Sequence, residues 1–142
     1  MNMIKICTCT ACGIVGTAIT TIFGGFTEDM ITLVVVMAVD FIMGLIIALI
    51  LKKSPKTESG AASSKNCFMG LCKKCVMLLF VLVAHRLDVT LHINYIKTAT
   101  VIGFIVNELM SIIENAGLMG IPLPDVLKRG IDLLKGEVGK DE

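Results

Sequence analysis

Apolar residues in this chain gather into four long runs separated by short polar breaks. The first covers residues 6–26 and holds no charge, and the second covers 30–51 with Asp40 as its one charged position. The third covers 76–96 and the fourth 98–117. About 20 residues at ~1.5 Å each span a hydrocarbon layer ~30 Å thick. Only helices or closed barrels satisfy their backbone in lipid, so each run predicts a helix. The pattern therefore predicts an all-α integral membrane protein with about four transmembrane helices in residues 1–118. The second run is the clearest. The first is diluted by Thr and Gly, and the third is strongly apolar only from Val76 to Ala84. Neither an internal repeat nor a heptad array is apparent. Residues 119–142 read as a tail: Pro122 and Pro124 break the fourth helix, and Pro124 can open a short new one. Leu127, Ile131, Leu134 and Val138 then form one apolar stripe flanked by Lys128, Arg129 and Lys135. That predicts an amphipathic helix on the inner membrane surface.

The polar positions inside the runs carry the functional expectation. Asp40 sits midway along the second run, too deep to reach an interface easily. His85, Arg86 and Asp88 interrupt the third, and Asn107, Glu108, Ser111 and Glu114 interrupt the fourth. His85, Asp88 and His92 share a helical face; a polar face meeting water or a facing helix is expected there rather than a metal site. Asn107, Ser111 and Glu114 give the fourth helix one wet flank beside an apolar back. Arg86 is a candidate partner for Asp40 or for an acid of the fourth run. Left unpaired in lipid, Asp40, Arg86, Asp88, Glu108 and Glu114 would cost on the order of 10–15 kcal/mol on insertion scales. Whole domains are stable by only about 5–15 kcal/mol. These groups must be neutralised, paired within a bundle, or sheltered by self-association. The first run offers a surface for association. Cys9, Gly13, Thr17 and Thr21 recur every four residues, as do Cys12, Gly16, Thr20 and Gly24 on the adjoining line. Small residues at that spacing allow close helix approach.

Composition sharpens this picture. Apolar residues make up 55% of 142, above the roughly 45–50% of soluble domains, and mean hydropathy is +0.85. Net charge is only +1, but residues 52–75 hold Lys52, Lys53, Lys56, Lys65, Lys73 and Lys74 against a single acid, Glu58. Basic loops stay in the cytoplasm. This places 52–75 and both termini inside, with Lys5, Lys128, Arg129, Lys135 and Lys140, and puts Glu28, Asp29 and Lys97 outside. Residues 54–66 read as a flexible polar linker. The N-terminal run has one Lys before it and no A-x-A site after it, so it reads as a span rather than a signal peptide. The six cysteines form two groups, Cys7, Cys9, Cys12 and Cys67, Cys72, Cys75. Both groups fall near the reducing face, where thiols stay free. Zinc binding by Cys67, Cys72 and Cys75 is the less favoured reading of the second group. No phosphate loop, nucleophile elbow or H-E-x-x-H motif is present, so neither catalysis, a cofactor nor nucleic-acid binding is expected.

Several strings carry a further signal. They are Phe23-Gly24-Gly25-Phe26, Asp40-Phe41-Ile42-Met43-Gly44, Ala84-His85-Arg86-Leu87-Asp88, Asn107-Glu108, Ser111-Ile112-Ile113-Glu114-Asn115 and Gly120-Ile121-Pro122-Leu123-Pro124. From about residue 20 to 135 the chain resembles the toxin-secretion/phage-lysis holins of Firmicutes phages and clostridial toxin loci. The Cys-rich start departs from that pattern. The resemblance implies a homo-oligomer in the bacterial cytoplasmic membrane that permeabilises the bilayer. Endolysin or a toxin would be released cargo, and an antiholin a possible partner. Asp40, Asp88 and Glu108 would line or border the lumen. Two other readings stay open: a small proton- or ion-coupled transporter subunit, and a non-conducting antiholin or scaffold.

Overall fold

The structure, a computed structural model, describes residues 2–53, 55–56 and 58–138. Lys140 and the side chains of Lys135 and Val138 lie outside the described set. Every described regular element is helical. Helix α1 spans Met3–Ile22, α2 spans Glu28–Ile46, α3 spans Ser64–Leu91, α4 spans Ile96–Met119 and α5 spans Asp125–Val138. A wider π-helical turn, Ile47–Leu51, extends α2 to the left-handed Lys52. Four helices are long and apolar enough to cross a membrane, α2 counting with its extension.

The chain stops each helix where its backbone can turn. Gly24 and Gly25 both adopt positive φ after α1, and Thr27 precedes α2 with Glu28 and Asp29 in the first turn, where acids favour a helix N-terminus. His92 ends α3 in the left-handed conformation, and Gly120 ends α4 likewise. Pro124 then gives its carbonyl to the amides of Leu127 and Lys128 as α5 begins.

Two boundaries differ from the sequence reading. The third helix begins at Ser64, twelve residues before the expected 76, so Lys65, Lys73 and Lys74 are helical rather than parts of a loop. A lysine near a helix end can bury its methylene stem while the ammonium finds a polar partner, so it need not mark the end of a span. The third turn falls at residues 92–95, which makes Lys97 the second residue of α4, buried rather than in a loop.

The inward faces follow three-four spacing despite the absence of an overt heptad array. On α2 the line is Met30, Leu33, Met37, Asp40, Gly44 and Ile47. On α3 it is Gly70, Lys74, Met77, Val81, Ala84 and Asp88. On α4 it is Lys97, Val101, Ile105, Glu108 and Asn115. All of these residues are buried or half-buried. Three-four spacing of this kind forms the seam along which helices pack. Met30, Leu33, Met37, Val81, Val101 and Ile105 make one contiguous core. It occupies the half of the bundle next to the 92–95 turn, the turn end. The opposite half, next to residues 52–63, is the loop end.

The flanking helices are held differently. On α1 no described residue is buried, and a Cβ built on Gly13 or Gly16 would meet open space. The hydroxyls of Thr8, Thr10, Thr17, Thr20 and Thr21 donate to carbonyls one turn back on their own helix. That satisfies them without a partner and suits an outward face. Helix α5 folds back on α4: Ile131 is buried and Leu134 packs against the core. The sequence reading lays this stripe on the membrane surface; in the structure Ile131 and Leu134 of it are turned inward, while Leu127 is exposed.

One turn is sterically fixed. The His85 side chain lies directly over Gly24, where an added Cβ would overlap the imidazole. Gly24→Ala therefore meets two obstacles, the ring and a φ of +71°. The backbone term alone is worth about 1–2 kcal/mol. We expect a loss of that size or more in detergent unfolding, and His85→Ala should recover only the steric part.

Candidate functional site

Charged and polar groups from three helices meet where the apolar core ends. Lys74 on α3 is the centre. Its Nζ donates to Asp40 Oδ2 on α2 at 2.9 Å and to Glu108 Oε2 on α4. The other oxygen of Asp40 accepts from Asn115 Nδ2 at 3.0 Å. Glu108 is the most enclosed of the set, its side chain 5% exposed against 13% for Lys74 and 14% for Asp40. Two carboxylates share one ammonium, so the three side chains carry a net charge of −1 when ionised. Removing Lys74 would strand two buried carboxylates, whereas the intact set is internally bonded.

A cavity of about 280 Å³ opens beside this cluster. Its walls include Asp40, Lys74, Glu108 and Asn115, with Asn107, Ser111 and Glu114 continuing the polar flank of α4. Phe41, Leu45, Met77 and Leu118 supply the apolar wall. Pro55, Lys56, Ala61 and Ala62 come over it from the loop end, and the Asn66 side chain donates to the Lys56 carbonyl. The charged cluster and the polar part of the cavity wall therefore lie in the loop-end half, and the contiguous apolar core fills the half beyond Asp40.

A second polar group sits at the turn end. The Asp88 carboxylate accepts from the amides of Ile96 (3.0 Å) and Lys97 (2.9 Å), capping the first turn of α4 from another helix. The Lys97 ammonium donates to the carbonyl of Phe23 at 2.8 Å and to that of Gly25 at 3.5 Å. Together with the His85–Gly24 contact, these bonds tie the α1–α2 turn to α3 and α4.

The residues singled out in the sequence thus divide. Asp40, Asn107, Glu108, Ser111 and Glu114 share the loop-end cavity; His85 and Asp88 belong to the turn end. Arg86 is exposed and, among the described residues, forms no ion pair with Asp40 or with an acid of α4. Lys74 takes the place proposed for it. Sequence reasoning missed both Lys74 and Lys97, having assigned them to loops. The three-four line on α3 from Gly70 to Asp88 contains Lys74 and was the available signal. Cys67 is half-buried against the cavity, while Cys72 and Cys75 are exposed. Among the described residues no three His, Cys, Asp or Glu side chains converge on a metal position.

Four helices long and apolar enough to span, three of them packed around a charged cluster and a cavity, define a multi-pass helical membrane protein with charged groups inside its bundle. Residues 17–136 match the bacteriophage holin family, and the chain belongs to that family. It is a multi-pass protein of the cytoplasmic membrane. The match begins within α1 and leaves out its Cys-rich first turns. Among relatives, an uncharacterized protein of Halalkalibacterium halodurans is 32% identical over 89% of this chain and 93% of its own length. An uncharacterized Clostridium perfringens protein is 33% identical over 86% of this chain and 88% of its own. A probable holin of Bacillus phage phi105 is 31% identical over 52% of this chain and 56% of its own. No solved structure matches the chain.

Proposed function

We propose that this protein permeabilises the cytoplasmic membrane by assembling into rings whose lumen is lined by the loop-end polar flank, so that an endolysin or a toxin can pass. The observation that carries this reading is the cavity: charged and polar side chains already line one side of it as far as Asp40 inside a single bundle. Helices with one wet flank tolerate lipid only while those flanks face each other or water. When copies accumulate, the flanks of neighbouring bundles can face a shared aqueous lumen. Asp40, Asn107, Glu108, Ser111 and Glu114 line it. Asp88 and His85 position the turn end, and outward-facing Arg86 meets a neighbouring copy or the headgroups. The small residues of α1, Gly13, Gly16, Thr17 and Thr20, are the outward surface available for contact between copies. Both termini and the segment between α2 and α3 lie on the cytoplasmic side, a placement that Lys5, Lys52, Lys53, Lys56, Lys128 and Arg129 support, and 119–142 form a cytoplasmic tail. An antiholin is the kind of partner that would delay assembly.

The test is induced expression in a bacterium, read by a potential-sensitive dye with and without a co-expressed endolysin. Abrupt depolarisation followed by endolysin-dependent lysis is expected. Depolarisation without passage of the enzyme would make the protein an ion-coupled transporter subunit. Neither effect would make it a scaffold or antiholin. Asn107→Leu with Ser111→Leu removes lining polarity without touching the Lys74 bonds. That variant should insert normally yet release endolysin at least about tenfold more slowly, a difference of about 1.4 kcal/mol.

A further inference from the structure

Helix α3 is attached to the bundle by two unlike means. Its turn-end half is packed: Val81 is fully buried, and Ala84 and Asp88 nearly so. Its loop-end half, residues 64–76, contains no buried residue. There Cys67, Gly70 and Lys74 line the cavity, Gly70 beside the Phe41 ring of α2, and apolar packing on the core resumes only at Met77 and Leu78, with Phe80 against Phe104 of α4. Helix α2 packs chiefly on α4 and meets α3 only sparsely. Across the resulting gap, Lys74 reaches Asp40 on one side and Glu108 on the other. The described part of the segment that precedes α3 meets this half through the bond from Asn66 to the Lys56 carbonyl, in the first turn of the helix.

We propose that the Lys74 ammonium is the latch of a gate. Bound to Asp40 and Glu108, it holds the loop-end half of α3 against the bundle. Released, that half swings outward about the packed Met77–Asp88 segment and opens the cavity toward neighbouring copies. The inference rests on the permeabilising role argued above and assigns its closed state to three side chains. The cavity makes the motion feasible. Polar surroundings meet the separating charges, so opening exchanges one set of hydrogen bonds for another rather than baring ions to lipid. A rigid helix pivoting on a packed end is also an ordinary two-position element.

Cys67 reports the state of the gate because it lies on the moving half and lines the cavity. In a variant retaining Cys67 as its sole cysteine, the rate of N-ethylmaleimide labelling in membranes is measured with and without Lys74→Met. Labelling should accelerate at least about tenfold, or about 1.4 kcal/mol in the closed–open equilibrium. Lys74→Glu combined with Glu108→Lys keeps one cation between two carboxylates and should return the rate to within about twofold of the parent. Should Lys74→Met fail to insert, Asp40→Asn with Glu108→Gln removes the latch from the other side and should accelerate labelling equally. A parental rate in the variants that remove the latch, or an exchanged pair that labels as fast as they do, overturns the proposal. The assay involves no lysis. A chain that shows this labelling pattern but never passes endolysin keeps the latch and loses the permeabilising role.

Discussion

Replacing Lys74 with Met is expected to cost the folded bundle about 3–5 kcal/mol, the penalty for breaking a buried ion pair by removing one partner. The reason is the two-to-one ratio at this site. Asp40 and Glu108 would face each other across the cavity with Asn115 as the remaining bonded neighbour, and two carboxylates at close range repel. The complementary variant isolates this cause. Asp40→Leu, Lys74→Met and Glu108→Leu together remove every charge of the cluster and leave apolar side chains of similar bulk. Replacement of a whole buried charge set by packed apolar residues is often neutral or stabilising. The triple variant should therefore unfold in detergent within about 1 kcal/mol of the parent, while endolysin release is lost because α3 is now held by apolar packing. Unfolding followed by circular dichroism and release assays on the same two variants check both halves. A triple variant as unstable as the single one would mean that packing volume, not stranded charge, governs the site.

Much of this architecture is legible in the sequence because lipid imposes a strict rule on length. The uncharged stretch from Ile6 and the single-acid stretch around Asp40 are helices of the expected kind, with ends shifted by a few residues. Asp40, Asn107, Glu108, Ser111 and Glu114 converge because they occupy inward or cavity-facing positions that periodicity can identify. The lysines were harder to place. Lys73 and Lys74 are adjacent and basic, so a count of charge ends the span before them. Helical rotation separates them, leaving Lys73 exposed and Lys74 against two acids. Arg86 illustrates the converse error. It lies deeper in the apolar run than Lys74, yet it points outward because Ala84 and Asp88 take the inward positions on either side. Depth along the chain is readable from composition; the direction a side chain faces depends on the neighbours that claim the seam. The role of Asp88 was hidden for a related reason. Its partners are backbone amides at the start of another helix, and amides leave no mark in a sequence.

The second large effect is expected at Lys97. Helix α1 buries none of its described side chains, so its position depends on the turn that follows it. Phe23 packs against the core, and its carbonyl and that of Gly25 accept from the Lys97 ammonium. Hydrogen bonds to a charged donor are worth about 1.5–3 kcal/mol each when the acceptor is then left unsatisfied. Lys97→Met should lower stability by roughly that amount and leave α2, α3 and α4 packed, because Val101 and Ile105 continue to fill the core beneath it. The local signature separates this from general unfolding. The amides of Gly24 and Gly25 are bonded to carbonyls of Thr21 and Thr20, so they exchange with solvent only when the turn opens. In hydrogen-exchange mass spectrometry they should exchange at least about tenfold faster in the variant, while peptides from α2 and α4 keep their protection. Unchanged exchange at this turn would show that the His85 contact alone holds α1 in place. If the expected pattern is found, Lys97 fixes where α1 stands beside the other spans. The outward line of Gly13, Gly16, Thr17 and Thr20 is then presented to neighbouring copies at a set angle rather than at random.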